Sequence, residues 1–260
     1  MPPCRRDNTL AEPHSPIEQF EIKTIKPLEL FGLDVSFTNS AFIMVLVVGV
    51  LSLFLIGGTR KSAMVPGRWQ ITVELAYNFI ASMIRDNVGK EGKPYFPFIF
   101  TLFLFVLGMN LAGLFPYSFT VTSHIAVTFF MAAFIFIGVT IVGFVKNGAG
   151  YLKLFVPPGL PAWLLPIVVI IEVISYCVRP ISLSVRLFAN MLAGHIMMKV
   201  FAGFIISLAA LGVVGMAGAV LPFVVTVMLT GLELLVAGLQ AYVFTILTCI
   251  YLNDAMHPSH

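Results

Sequence analysis

Charge is scarce in this sequence. Asp, Glu, Lys and Arg together make up 10% of its 260 residues, where a soluble domain carries about a quarter. Several runs of about twenty residues hold no charge, the length a helix needs to cross roughly 30 Å of hydrocarbon. The short segments of alternating polarity that mark a membrane barrel are missing. Cysteine is nearly absent too. Cys4, Cys177 and Cys249 lie too far apart for a disulfide framework or a metal-ligand spacing, so no metal and no cofactor are expected. The formal net charge is only +3. The basic residues flank apolar runs and form no patch, which argues against a nucleic-acid partner. No internal repeat emerges between the halves, so the inverted-repeat transporter plan finds no support. Nor is a removable signal peptide expected, since the start is polar and mixed in charge and the first apolar run is long and comes late.

What the sequence has in abundance is apolar surface, with 59% hydrophobic residues. The pattern predicts an all-α integral membrane protein with five crossings and one interfacial amphipathic helix. Residues 1–40 form a polar external arm with four basic and six acidic residues. The stretch "MPPCRRDNTLAEPHSP" reads as disordered, and "FEIKTIKPLELFGLDVSFT" as lying at the membrane surface. Residues 41–260 form the membrane domain. Its spans are expected at about 41–58, 96–116, 124–145, 162–209 and 217–252. From Ala162 to Leu252 the chain is almost continuously apolar. That is too long for two ordinary spans at about 1.5 Å per residue. Two very long helices, tilted and joined at a hairpin near Gly212, Gly215 and Gly218, satisfy it. Between the first two spans, residues 66–88 place Trp69, Leu75, Ala76, Phe79, Ile80, Met83 and Ile84 at helical spacing. Gln70, Glu74, Asn78, Arg85 and Asp86 fall on the other face. Such a helix lies along the interface rather than across it.

Lysine and arginine near the spans set the orientation. Segment 59–95 carries six basic residues, 117–123 none and 146–160 two. With five crossings, this puts the N-terminus outside and the C-terminus inside.

The few charges within the last two spans are the informative ones. They are Glu172, Arg179, Arg186, His195 and Lys199 on the first helix and Glu233 on the second. An ionised group near the bilayer centre costs at least about 2.5–3.5 kcal/mol and marks a functional site by default. Lys199 is explained by snorkelling. Glu172, Arg179 and Arg186 are spaced by heptads, and a heptad drifts only about 20°, so the three share a face. Asn190 stays on that face. His195, nine residues beyond Arg186, points to roughly the opposite side. Glu172 lies about 21 Å from Arg186 along the axis, and His195 about 13 Å. Glu233 and Gln240 share a face of the last helix by the same heptad rule. The plain alternative is that these groups only pair to hold helices together, as Glu172 with Arg179 and His195 with Glu233. Asn110 and His124, near the external ends of their spans, are accounted for by a wet loop environment. Ser182 and Ser184 are expected to bond backward to their own helix.

The segments "RPISLSVRLFANMLAGH" and "ELLVAGLQAYVFTILTCIYLNDA", with "MNLAGLFPYSFTVTSHIAVTF" and "PIEQFEI", closely resemble subunit a of the F-type ATP synthases. The likeness runs from about residue 16 to near the end, and Arg-Leu-Phe-x-Asn-Met is highly specific. It implies a non-catalytic stator subunit that lies against a rotating c-ring, with the peripheral stalk and the lipid bilayer as further partners and protons as the transported ion. Arg186 matches the family's essential arginine and Asn190 its neighbouring asparagine. His195, Glu233 and Gln240 match the inlet half-channel. Glu172 matches a polar position, and Arg179 a basic one, on the exit side. Asn110 and His124 are possible supporting positions. The family exchanges acid and imidazole at the positions of His195 and Glu233, and this chain has the histidine first. Gly113 stands where some members carry an aspartate and is assigned no role. The resemblance implies a bacterial plasma membrane or a mitochondrial inner membrane.

Overall fold

A computed structural model describes residues 24–26, 29–30, 33–34, 36–60, 67–115, 120–156 and 163–257. The disordered stretch expected at 1–16 lies outside them. In the arm, β1 (Thr24–Lys26) pairs antiparallel with β4 (Phe37–Thr38), and β2 (Glu29–Leu30) with β3 (Leu33–Asp34). Beyond the arm the described elements are helices: α1 (Asn39–Thr59), α2 (Arg68–Asn87), α3 (Phe96–Gly113), α4 (Ile125–Asn147), α5 (Leu165–Ala209) and α6 (Val213–Met256). Short 3₁₀ segments precede α3 (Gly89–Tyr95), precede α4 (Val121–Ser123) and follow α4 (Gly148–Phe155). Among the described residues, five stretches are long and apolar enough to cross a membrane. Four are α1, α4, α5 and α6, and the fifth is Gly89–Gly113, which holds α3.

The helix starts follow local chemistry. Thr38 caps α1 by accepting a hydrogen bond from the Ala41 amide at 3.3 Å, which satisfies one of the free N–H groups of the first turn. Pro97 sits in the first turn of α3, where no helical hydrogen bond is lost. Pro180 and Pro222 lie inside α5 and α6 without ending them, as membrane helices tolerate.

Two kinds of apolar surface result. Ile80, Ile99, Val106, Leu187 and Phe244 are wholly buried where α2, α3, α5 and α6 meet. Many other large apolar residues, such as Leu53, Phe130, Phe134, Ile170 and Leu235, remain exposed on the spans, which suits helices whose outer surface meets lipid tails. α2 divides its apolar residues. Val73, Ile80, Met83 and Ile84 turn inward, while Trp69, Leu75 and Phe79 stay outside. The single stripe read from the sequence is thus two surfaces, one for the bundle and one for the interface. Small residues allow the close crossings. A methyl group at Gly108 would meet Leu51 and Val47 of α1, and one at Gly58 would meet Val73 of α2.

α5 has 45 residues and α6 has 44. At 1.5 Å per residue each runs for about 65 Å, roughly twice the hydrocarbon thickness, so both must tilt or extend beyond it. They run antiparallel. The turn between them uses Gly212 at φ +83°, a conformation that penalises a Cβ. Gly215 and Gly218 lie within the first turns of α6 instead of in the hairpin. A Cβ on Gly215 would come 2.0 Å from the Leu208 carbonyl oxygen of α5, whereas one on Gly218 would meet nothing within 4 Å. Gly215→Ala is therefore expected to lower the thermal midpoint of the detergent-solubilised protein by several degrees, through a backbone clash that costs about 1–3 kcal/mol. Gly218→Ala is expected to leave it unchanged.

Candidate functional site

The long seam between α5 and α6 gathers the polar residues into rungs. Nearest the hairpin, His195 of α5 faces Glu233 of α6, with Nε2 3.6 Å from Oε1. Both are almost fully buried, at 6% and 5% exposure. The second nearby partner comes from outside the seam: Thr120, just before the 3₁₀ turn that leads to α4, shares a hydrogen bond of 3.1 Å with His195 Nε2. Glu233 itself accepts no hydrogen bond from a described residue through either oxygen. A buried carboxylate left in that condition is costly and is kept where it has a task. Gly194 makes its approach possible, because a Cβ there would lie 2.8 Å from Oε1.

Further along, Asn190 Nδ2 donates to Gln240 Oε1 at 3.3 Å. Asn190 is on the exposed side of α5, whereas Gln240 is buried, so this bond links the outer face to the inner seam. Asn110 of α3 reaches the same region and donates to the Ala237 carbonyl at 3.3 Å. It is wholly buried, which corrects the expectation that a wet loop surrounds it; the end of α3 is covered by α6. Ser184 of α5 also departs from expectation. Its hydroxyl meets that of Thr128 on α4 at 3.1 Å and so ties two helices together. Ser182 stays exposed. His124 is half-buried immediately before α4.

Arg186 stands apart from these rungs. It is exposed on the outer face of α5 and makes no hydrogen bond or ion pair with another described residue. Its neighbours on that face are small or polar: Ser182, Ala189, Asn190 and Ala193 are all exposed. An arginine without a partner in this setting presents its charge outward, across a surface that another helix can approach closely.

At the far end of the seam a second polar group forms around Arg179. Its guanidinium pairs with Asp254 at 3.3 Å and, more distantly, with Glu172 at 4.0 Å. It also lies 5.6 Å and 5.1 Å from the ring centres of Tyr176 and Tyr251, within cation–π range. The Tyr176 hydroxyl continues the network to Thr140 at 2.6 Å and to Tyr151 at 2.8 Å. The sequence reading paired Arg179 with Glu172 alone, and Asp254 is the nearer partner. Asp254 and Thr120 are two of the residues that sequence reasoning missed. Each sits at an element's edge, where polarity reads as ordinary surface. Among the described residues no group of three or more His, Cys, Asp or Glu is placed to hold a metal ion.

Fold and seam together define a polytopic helical membrane protein with ionisable groups in two separate clusters and an outward-facing arginine. Sequence comparison gives the family. A family model described as "ATP synthase A chain" matches residues 41–253. The chain is 62% identical to ATP synthase subunit a of Chelativorans sp. (strain BNC1) over 245 residues, covering 94% of this chain and 98% of that protein. It is 58% identical to the same subunit of Parvibaculum lavamentivorans over 248 residues, covering 95% of each chain. With that of Pelagibacter ubique the identity is 56% over 247 residues, covering 95% and 99%. The chain belongs to the ATP synthase A chain family.

The Thr120 contact generates a test. Thr120→Val keeps the shape but removes a hydrogen-bond partner of a buried ring nitrogen, so a cost of about 1–3 kcal/mol is expected. Thr120→Ser keeps the hydroxyl. In thermal melts of the solubilised protein, valine should lower the midpoint clearly more than serine; equal losses would mean that the hydroxyl contributes nothing.

Proposed function

We propose that this chain is the proton-conducting stator subunit in the membrane sector of an ATP synthase. It offers two offset half-channels to the carboxylates of a rotating c-ring, with Arg186 between them. The observation that carries the reading is the placement of Arg186. It is exposed on one face of α5, with no ion pair among the described residues, between a buried His195–Glu233 pair on one side and the Glu172–Arg179–Asp254 group on the other.

Arginine stays protonated at all physiological pH. It attracts a carboxylate and cannot pass a proton on. A neighbouring cation lowers a carboxylate's pKa by about 1–3. A ring carboxylate that comes up to Arg186 is therefore favoured in its ionised form and releases its proton toward the Glu172 side. Beyond Arg186 it draws a proton from the side of His195 and Glu233, with Asn190 and Gln240 as polar groups between that pair and the ring surface. Once neutral, it can face lipid. Histidine suits the relay because its ordinary pKa lies near ambient pH. The fixed positive charge of Arg186 also repels a free proton, so the two half-channels communicate only by turning the ring. A proton crossing 100 mV is worth about 2.3 kcal/mol, which a leak would dissipate. Run backward, the same path pumps protons during ATP hydrolysis. Asn110, held against α6, and His124 take supporting places beside the inlet.

In this reading the chain performs no catalysis itself. Its partners are the c-ring, the peripheral stalk and the bilayer. The N-terminus is outside and the C-terminus inside, in accord with the distribution of basic residues along the loops. The bacterial relatives support a bacterial plasma membrane.

The test uses the whole complex in reconstituted vesicles. Arg186→Ala is expected to reduce ATP-driven proton transport to background, and intact coupled transport would refute the proposal. Exchanging the pair (His195→Glu with Glu233→His) is expected to retain more transport than either His195→Ala or Glu233→Ala. A double exchange as damaging as the single losses would show that the two groups do not cooperate.

A further inference from the structure

The elbow between α2 and α3 holds a cleft of about 620 Å³, whose lining residues all lie between Tyr77 and Pro97. Arg85, Lys90 and Lys93 line it, together with Asn78, Tyr77 and Phe96. No acidic side chain is among its lining residues. The two acids close by in sequence are Asp86, exposed on α2, and Glu91. Glu91 is engaged elsewhere: it pairs with Lys146 at the end of α4 and lies 4.0 Å from His257. Arg85, Lys90 and Lys93 make no ion pair among the described residues. Three cations without an ion pair among the described residues thus share one concavity.

The wall of the cleft is aromatic. Tyr77 and Phe96 have ring centres 4.6 Å apart, and Phe100, one turn further along α3, stacks on Phe96 at 5.5 Å. Phe100 is outside the cleft's lining, but it continues the aromatic surface from Phe96 along the membrane-crossing α3. Tyr77, half-exposed, and Asn78, exposed, add hydrogen-bonding side chains to the lining. Gly89 contributes a positive φ of 78° and no side chain, with open space where a Cβ would be.

From this arrangement we propose that the cleft is a binding site for an anionic phospholipid. The headgroup phosphate lies among Arg85, Lys90 and Lys93, and the upper part of an acyl chain lies against Tyr77, Phe96 and Phe100. Charge complementarity selects the headgroup, because a basic pocket beside a span attracts anionic lipid. Amphipathic continuity selects a lipid over a free phosphate ion. A small anion needs only the three basic side chains, whereas the aromatic wall extends in the direction that an acyl chain takes from the interface into the hydrocarbon. The amphipathic α2 lies at the level where headgroups are found. None of the residues assigned to the proton path is among its lining residues.

The test is competitive lipid binding to the purified full-length protein in detergent, read by native mass spectrometry. The probes are dioleoyl phosphatidylglycerol, dioleoyl phosphatidylcholine and inorganic phosphate. The wild type is expected to prefer phosphatidylglycerol by about tenfold. The triple variant Arg85→Gln, Lys90→Gln and Lys93→Gln should bind the two lipids alike, with an unchanged melting temperature because all three side chains are exposed. Lys93→Gln alone should lose part of the preference, which keeps the test valid if the triple variant folds poorly. Equal binding of both lipids by the wild type, or a preference kept by the variants, would overturn the proposal. Displacement of phosphatidylglycerol by millimolar phosphate would reduce the cleft to a small-anion site and would also overturn it. In the assembled complex in lipid, a Lys90→Cys variant should not cross-link to a stalk subunit through a short bifunctional reagent. Efficient cross-linking there would mark a protein interface instead.

Discussion

An arginine exposed on the side of a membrane helix must find something to offset its desolvation, and that requirement organises this protein. Arg186 cannot neutralise itself by losing a proton, as a lysine or histidine can. It has no counter-ion among the described residues of its own chain. The small side chains beside it, Ala189 and Ala193, leave its face of α5 open. In the proposed assembly a ring carboxylate supplies the missing charge, and does so only for as long as it stays beside the arginine. The same demand that makes Arg186 expensive in lipid thus makes it useful at a moving interface.

The rest of the fold serves to hold α5 in place while this face stays uncovered. α6 runs antiparallel along its other side and contributes Glu233, Gln240 and Asp254 at successive rungs. The start of α4 and the residues before it bring Thr128 and Thr120 against α5, and α3 anchors to α6 through Asn110. Close approach at Gly194 and Gly215 sets the spacing of the seam. Polar groups thereby form two clusters, Glu172–Arg179–Asp254 and His195–Glu233, on either side of Arg186 along α5. The proposed function needs such a separation, because in it protons enter and leave on different sides of the ring.

Helical class was legible because hydrocarbon imposes length and the absence of charge, both of which survive in a single sequence. The change of face between Asn190 and His195 was legible for a related reason: helical geometry fixes angles, and α5 is one unbroken helix over that stretch. Contacts between elements were not. Nothing in the spacing of Thr120 tells that the chain before α4 folds back on His195. Asp254 read as ordinary end-of-helix polarity until the antiparallel register brought it beside Arg179. Asn110 read as loop-side polarity because its burial depends on α6, more than a hundred residues away. In each case the missing information was tertiary register, which local periodicity does not contain.

The central claim concerns what Arg186 faces. The most direct measurement is an experimental structure of the assembled complex in lipid, in which the separation between the Arg186 guanidinium and the nearest c-ring carboxylate can be read. The expected result is that a ring carboxylate comes within about 4–6 Å of Arg186, with His195–Glu233 and Glu172–Arg179 opening to opposite sides of that contact. An Arg186 that faces lipid, the peripheral stalk or another part of its own chain, with the ring on a different surface, would contradict the account.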